Sequence, residues 1–298
     1  MTDVEFRRGN ADDNELCFDV FVQSIVDLSQ RIGAPWEPDP ADLWTRMEPL
    51  YRRLGDEAAE WWVAQEAGTG EVIGYARSVE RGGLFELTEF FVRPSRQAAG
   101  VGRRLLELAF PDGRGDVRAI IATPDLRALS RYYRAGTAVR FPFVSLNGAP
   151  SAASDATDLE IARASTDDIE TMAELERTVL EFDRGRDELA WLLDQREGYL
   201  YRRGGLAVGF GFIGLSGTGP IAALDPADQV PILLHLEGRA KALGRAEVSF
   251  EVPMINGVAM GHLLERRFRM DPFMTLLLST RPFGQFDRFI PFSPPFVL

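Results

Sequence analysis

Two stretches of this chain repeat one order of elements on either side of a polar spacer, and that repetition narrows the possible folds more than any single motif does. The spacer, Asn147 to Asp158, is rich in Ala, Ser, Asp and Gly and almost free of large apolar residues. Val4-Glu5-Phe6-Arg7-Arg8 on one side matches Leu159-Glu160-Ile161-Ala162-Arg163 on the other. Asp12-Asp13 and Asp167-Asp168 follow at the same offset, each pair suited to capping a helix. Gly70-Glu71-Val72-Ile73-Gly74-Tyr75-Ala76 parallels Gly205-Leu206-Ala207-Val208-Gly209-Phe210-Gly211, and both read as a turn entering a central strand. Near each end a strand, Ala119–Ala122 or Glu247–Phe250, leads into a helix in which Ala128 aligns with Ala259. Four matches in one order point to a duplicated scaffold. Each copy reads as strand, helices, hairpin, long strand, helix, strand, helix, strand, which is an α/β (α+β) sheet with helices on both faces. The expected division is 1–146, a linker at 147–157, and 158–298.

At 298 residues the chain has room for two such domains. With 45% hydrophobic and 26% charged residues it is of globular type, and no apolar run is long enough to span a bilayer. A formal charge of −12 disfavours nucleic acid and weakly favours a cationic small molecule. The acidic N-terminus lacks a signal-peptide core, and one cysteine, Cys17, precludes an internal disulfide; a cytoplasmic location is expected. Cys17 lies among apolar residues of a helix and reads as a buried thiol. His235 and His262 have no partners at metal-ligand spacing, so no metal is expected.

The segment Phe91-Val92-Arg93-Pro94-Ser95-Arg96-Gln97-Ala98-Ala99-Gly100-Val101-Gly102-Arg103-Arg104 carries the chemistry. A strand ends at a proline, a loop with two spaced glycines follows, and a helix begins. Backbone N–H groups at a helix start suit a phosphate, and the arginines add positive charge. The strand before it, Leu84–Val92, places Glu86 and Glu89 in an apolar run. Farther on, Asp125, Tyr132 and Gly136 are spaced along a helix that glycine closes.

Val92-x-Pro94 followed by Gln97-x-x-Gly100-x-Gly102 resembles the acetyl-CoA signature of the GNAT-type N-acetyltransferases, and Asp125, Tyr132 and Gly136 resemble that family's second motif. The resemblance covers most of residues 3–146, with 158–280 a degenerate copy, so a tandem member is expected: two GNAT-like domains, each a mixed, mostly antiparallel splayed sheet flanked by helices. It implies that the pantetheine arm of acetyl-CoA pairs with the backbone of Phe90, Phe91 and Val92. The pyrophosphate would rest on the loop Ala98, Ala99, Gly100, Val101, Gly102 and Arg103, with Gln97 and Asp125 also at the cofactor. Asp125 stands where the family has Asn, and Thr137 where it has an aromatic. Tyr132 is implied as the acid that protonates the thiolate. Glu86 or Glu89 is the candidate base, a water chain the alternative. Strand alternation puts the two glutamates on opposite faces unless a bulge intervenes.

The second copy lacks the loop. After Ile221–Pro226 no glycine appears until Gly238, Pro231 removes an N–H, and Leu263 stands at the position of Tyr132, although Asn256 occupies that of Asp125. One acetyl-CoA site per chain follows. The expected activity is acetyl transfer to a primary amine of a small molecule, with a thiol-pathway (mycothiol-like) or aminoglycoside-like amine as variants. A non-catalytic acyl-CoA sensor is the competing class. The chain is expected as monomer or homodimer, without nucleic acid or membrane partners. The region Ile32–Asp56, with Trp36 and Trp44, reads either as a lid or acceptor wall or as an insertion whose tryptophans pack on the core. The apolar C-terminal stretch from Phe289 is expected to dock on a domain surface.

Overall fold

A computed structural model describes residues 3–97, 100–152, 157–214 and 217–291. Its contacts divide the chain into two compact units: Met1–Glu80, Leu84–Ile120 and Leu126–Thr137 form one, and Arg81–Gly83, Ile121–Asp125 and Ala138–Leu298 form the other.

The first unit runs β1 (Val4–Arg8), α1 (Asn14–Arg31), α2 (Pro40–Asp56), β2 (Ala58–Glu66), β3 (Val72–Arg81), β4 (Leu84–Val92), α3 (Val101–Ala109), β5 (Val117–Ala122) and α4 (Leu126–Arg134). The strands lie in the order β1-β2-β3-β4-β5. β1 to β2 and β2 to β3 are antiparallel, while β4 and β5 are parallel. The start of α1 is fixed by a short turn at Ala11–Asp13. Asn10 Oδ1 accepts the Asp12 N–H at 2.9 Å, and Asp13 Oδ2 accepts the Asn10 N–H at 2.9 Å. The region read as an insertion is largely α2. Asp39 caps it by accepting the Ala41 and Asp42 N–H groups, and Pro40 occupies its first turn. Its Trp44 packs on Phe18 at 4.9 Å and Tyr51 at 5.8 Å, and Trp36 meets Phe21 at 6.5 Å, so both tryptophans pack on aromatic neighbours.

The second unit holds β6 (Ala138–Gly148), β7 (Glu160–Arg163), α5 (Ile169–Leu180), α6 (Arg186–Gln195), β8 (Glu197–Arg203), β9 (Leu206–Ile213), β10 (Thr218–Ala223), α7 (Gln229–Ala242), β11 (Val248–Pro253), α8 (Gly257–Glu265), β12 (Arg269–Ser279) and β13 (Phe289–Ile290). The capping device of the first half recurs: Ser165 Oγ accepts the Asp167 N–H, and Asp168 Oδ2 accepts the Ser165 N–H at 3.0 Å. Its strands pair as β13-β10-β9-β8-β7 and as β12-β6-β11. β6 departs from a division at 146. It pairs antiparallel with β11 (Val248↔Gly148 to Pro253↔Phe143) and with β12 (Arg269↔Asn147 to Ser279↔Ala138). The apolar residues Phe141, Phe143, Val144 and Leu146 are buried in that arrangement. Helices accompany antiparallel-dominated sheets in both units, with the parallel β4–β5 ladder in the first, the α/β fold expected from the repeat.

Candidate active site

β4 pairs with β5 over only four positions, Leu84↔Val117 to Leu87↔Ile120, yet runs on to Val92. Thr88 to Val92 therefore lie beyond the last β5 partner among the described residues, and this stretch holds Glu89, Phe90, Phe91 and Val92. Pro94 then opens a single 3₁₀ turn, where it has no N–H to place in a ladder. The Gln97 side-chain amide donates to the Val92 carbonyl at 3.1 Å and so ties the loop back to the strand end. Ala98 and Ala99 lie outside the described residues. Gly100 caps α3 with φ +83°, and a Cβ there would meet nothing within 4 Å. It supplies the left-handed turn that side chains resist. The first N–H groups of α3, from Val101, Gly102 and Arg103, have no intrahelical acceptor by helix geometry. Val101 is buried. Gly102 packs close to the strand, since a Cβ would sit 3.2 Å from Phe90 Cζ and 3.6 Å from Val92 Cγ2. Arg103 points to solvent and donates to Glu107 at 2.8 Å.

Tyr132 is buried in α4, edge-on to the Phe90 ring at 6.0 Å. Thr137, which stands where the family has an aromatic, donates its hydroxyl to the Tyr132 carbonyl at 2.8 Å and closes the helix. Asp125 is half-buried immediately before α4. Phe90, Val92, Gly102 and Tyr132 thus share the sheet face covered by α3 and α4.

The two glutamates correct the alternation expected for the strand. Phe85 is level with Arg118 in the β4–β5 ladder, and Arg118 donates to the Phe110, Pro111 and Ala135 carbonyls beside α3 and α4. Phe85 also stacks on Phe110 at 5.7 Å. Phe85 therefore faces α3 and α4, and Glu86 faces the other way. Glu89, four residues on, should share Phe85's face if the pleat were regular. Instead its Oε1 accepts the Tyr75 hydroxyl at 2.8 Å, and its Oε2 lies 3.2 Å from Arg77 Nη1. Arg77 in turn donates to the Tyr51 carbonyl (2.8 Å) and Asn14 Oδ1 (3.1 Å), on α2 and α1. The pleat slips once between Phe85 and Glu89, as at a bulge, and turns both carboxylates to the α1/α2 face.

Glu89 sits in a buried polar knot. Tyr75 and Tyr51 hydroxyls meet at 3.1 Å, and the Arg77 guanidinium stacks 4.0 Å over the Trp61 ring. Burial, reinforced by the Glu89 charge, holds both tyrosines well above their ordinary range, so they act as neutral hydroxyls. Burial lowers the Arg77 pKa, but Glu89 and its other neighbours outweigh it, and the guanidinium stays charged. Glu89 Oε2 has no hydrogen-bond partner among the described residues. Above this floor Phe91 meets Phe21 at 5.2 Å and Tyr75 at 5.8 Å. Arg77 was not singled out from the sequence; the available signal was one arginine inside the apolar strand Val72–Val79, next in order to a strand that carries two glutamates. Cys17 is fully buried near the knot, and burial pushes its thiol up.

An acetyltransferase (GNAT) family profile matches residues 22–136. Residues 22–136 are thus a GNAT acetyltransferase domain. The matched segment contains the strand, glycine loop and Tyr132 helix just described, and this family uses acetyl-CoA. No curated protein matches the sequence. Among solved structures, a Pyrococcus horikoshii protein superposes with a TM-score of 0.73 at 15% identity, over 97% of this chain and 94% of that one. A GCN5-related N-acetyltransferase from Sphaerobacter thermophilus gives 0.63 at 15%, covering 94% and 96%. A tandem GNAT protein from the clavulanic acid biosynthesis pathway gives 0.57 at 16%, covering 94% and 99%. At such identities the likeness is one of fold, and the fold is that of a tandem GNAT chain. No helix among the described residues is long and apolar enough to cross a membrane, and no group of three or more His, Cys, Asp or Glu among them could hold a metal ion.

Proposed function

We propose that the first half transfers acetyl from acetyl-CoA to a primary amine of a small molecule, directly and without a covalent enzyme intermediate. The observation that carries this reading is the stretch of β4 beyond Leu87, which has no β5 partner among the described residues and leads through the Gln97 tie into the left-handed Gly100 and α3. Backbone groups of Phe90 to Val92 suit an amide-bearing pantetheine arm, and the first N–H groups of α3 suit a pyrophosphate. The close packing of Gly102 on Phe90 keeps that helix start near the strand.

The amine must lose a proton, and the departing sulfur must gain one. Glu89 is the better placed of the two carboxylates, because it lies in the unpaired stretch and has an oxygen without a hydrogen bond. In the proposed sequence its Oε2 receives a proton from the ammonium, and nitrogen attacks the thioester carbon. The C–S bond then breaks, Tyr132 gives its hydroxyl proton to the sulfur, and the second ammonium proton, left on the new amide nitrogen, passes through solvent water to the Tyr132 oxygen. Each such acid or base contributes about 10² to 10⁴-fold. Glu86, turned to the same face at the root of the unpaired stretch, is the second candidate. The buried, proton-bound Cys17 supports direct transfer over an acetyl-cysteine route. The proposal includes a cytoplasmic setting, a monomer or homodimer, and neither nucleic acid nor membrane as partner.

The test is an amine panel with acetyl-CoA, scored by release of free thiol, run for wild type and Tyr132→Phe. Turnover with at least one amine, reduced about 10²-fold or more in kcat by the substitution, is the expected result. Cofactor binding with no transfer to any amine by either protein would replace the enzyme with an acyl-CoA sensor.

A further inference from the structure

The second unit repeats the first unit's cofactor groove, and we infer that the chain's own C-terminal strand fills it in place of a pantetheine arm. The inference rests on the cofactor reading of the first half. Pro94 and Pro226 each open a 3₁₀ turn after a strand, and Gln97 and Gln229 each stand three residues beyond their proline. Counting back from the two prolines, Ala222–Leu224 correspond to Phe90–Val92, the stretch proposed to pair with pantetheine.

In the second unit that backbone edge is already taken. β13 pairs antiparallel with β10, Ile221 opposite Ile290 and Ala222 opposite Phe289, and the Ala223 N–H donates to the Arg288 carbonyl at 3.1 Å. β10 is held by β9 on its other edge. The strand that would form the far wall, β11, touches β10 at its root, where the Thr218 hydroxyl donates to the Ser249 carbonyl. Three residues later β13 lies along β10 instead. Both units thus bring two strands together at the root and part them beyond it, through four ladder positions in the first and the Thr218 side chain in the second.

The elements that would grip the rest of a cofactor grip this segment too. Gln229, at the start of α7, donates from Nε2 to the Asp287 carbonyl at 2.7 Å. Asn256, at the position of Asp125, caps α8 by accepting the Ala259 N–H and donates to Gln229 Oε1 at 2.6 Å. Gln229 and Asn256 are both fully buried. Arg288 Nη1 adds a bond to the Leu224 carbonyl at 2.7 Å, and Phe289 and Ile290 are completely buried. A strand edge and a helix start hold one peptide, and the motif asparagine holds the glutamine that reaches it. A retained groove with a resident strand explains why this half keeps Asn256 while it lacks glycines in the loop.

The experiment uses the full chain. Titration with acetyl-CoA is paired with hydrogen exchange over residues 218–230 and 84–106, for wild type, Gly102→Trp, Ile290→Pro and Gln229→Ala. One equivalent per wild-type chain and none for Gly102→Trp are expected, with cofactor-induced protection confined to 84–106. Without cofactor, Ile290→Pro should speed exchange at Ala223 by about 10-fold or more, and Gln229→Ala by less, since each loosens the strand that covers this amide. Cofactor-induced protection at 218–230 in wild type, or one equivalent bound by Gly102→Trp, overturns the inference. So does unchanged exchange at Ala223 in both strand variants. If wild type binds no cofactor, the reading of the first half fails, and the exchange at Ala223 still decides the strand.

Discussion

Arg77→Met tests the buried knot beneath Glu89 most directly. Arg77 is fully buried and Glu89 nearly so, 3.2 Å apart. Removing one member of a buried pair costs about 3–5 kcal/mol, because the remaining charge is left in a poorly solvating interior. Methionine also leaves the Tyr51 carbonyl and Asn14 Oδ1 without their donor, each worth roughly 1–3 kcal/mol if water cannot reach it. The expected loss is therefore at least about 3 kcal/mol, measured by urea denaturation at pH 7. Adding Glu89→Leu removes the stranded charge and should restore about 2 kcal/mol or more, though not the Tyr51 and Asn14 bonds. A single variant that loses under about 1 kcal/mol, or a double variant no more stable than the single, would refute the assignment of this pair as a mutually dependent unit.

Gly102→Val is expected to weaken acetyl-CoA binding by about 10-fold or more in titration calorimetry, because its side chain starts 3.2 Å from Phe90 and pushes α3 off the strand. Cys17→Ala should leave kcat within about 3-fold of wild type, and native protein should resist iodoacetamide, as a buried thiol with a raised pKa does; rapid alkylation would contradict that burial. Asn10→Ala removes one acceptor of the first capping box and should cost about 1 kcal/mol in denaturant unfolding, with the matching Ser165→Ala change costing a similar amount.

The duplicated order of elements was readable because each marker is local: an Asp pair, a glycine turn, a proline after a strand. The capping pairs even recur with matching geometry, although Asn10 and Ser165, not the aspartates alone, sit at the cap. Gly100 and Gly102 were readable for the same reason, since a left-handed turn and a close helix–strand contact each demand glycine. What composition and spacing concealed was the pleat. Whether Glu86 and Glu89 share a face depends on one slipped position between Phe85 and Glu89, and no residue type there announces it. Arg77 was hidden similarly, as its meaning lies in Glu89, Tyr51 and Asn14, which are far apart in sequence. The partner of β6 was also out of reach. An apolar strand next to the first half's last helix gives no hint that its ladder lies with β11 and β12.

That strand changes how the protein can be taken apart. A gene cut in the polar spacer looks natural, but the N-terminal product would carry β6 without either ladder partner. The C-terminal product would keep β11 and β12 with the place between them empty. Each fragment would expose unpaired strand edges with apolar residues such as Phe143 and Leu146 alongside, a recipe for aggregation. Activity is therefore to be apportioned between the halves by single substitutions in the intact chain, and failure of either fragment to fold would say nothing about which half holds the chemistry.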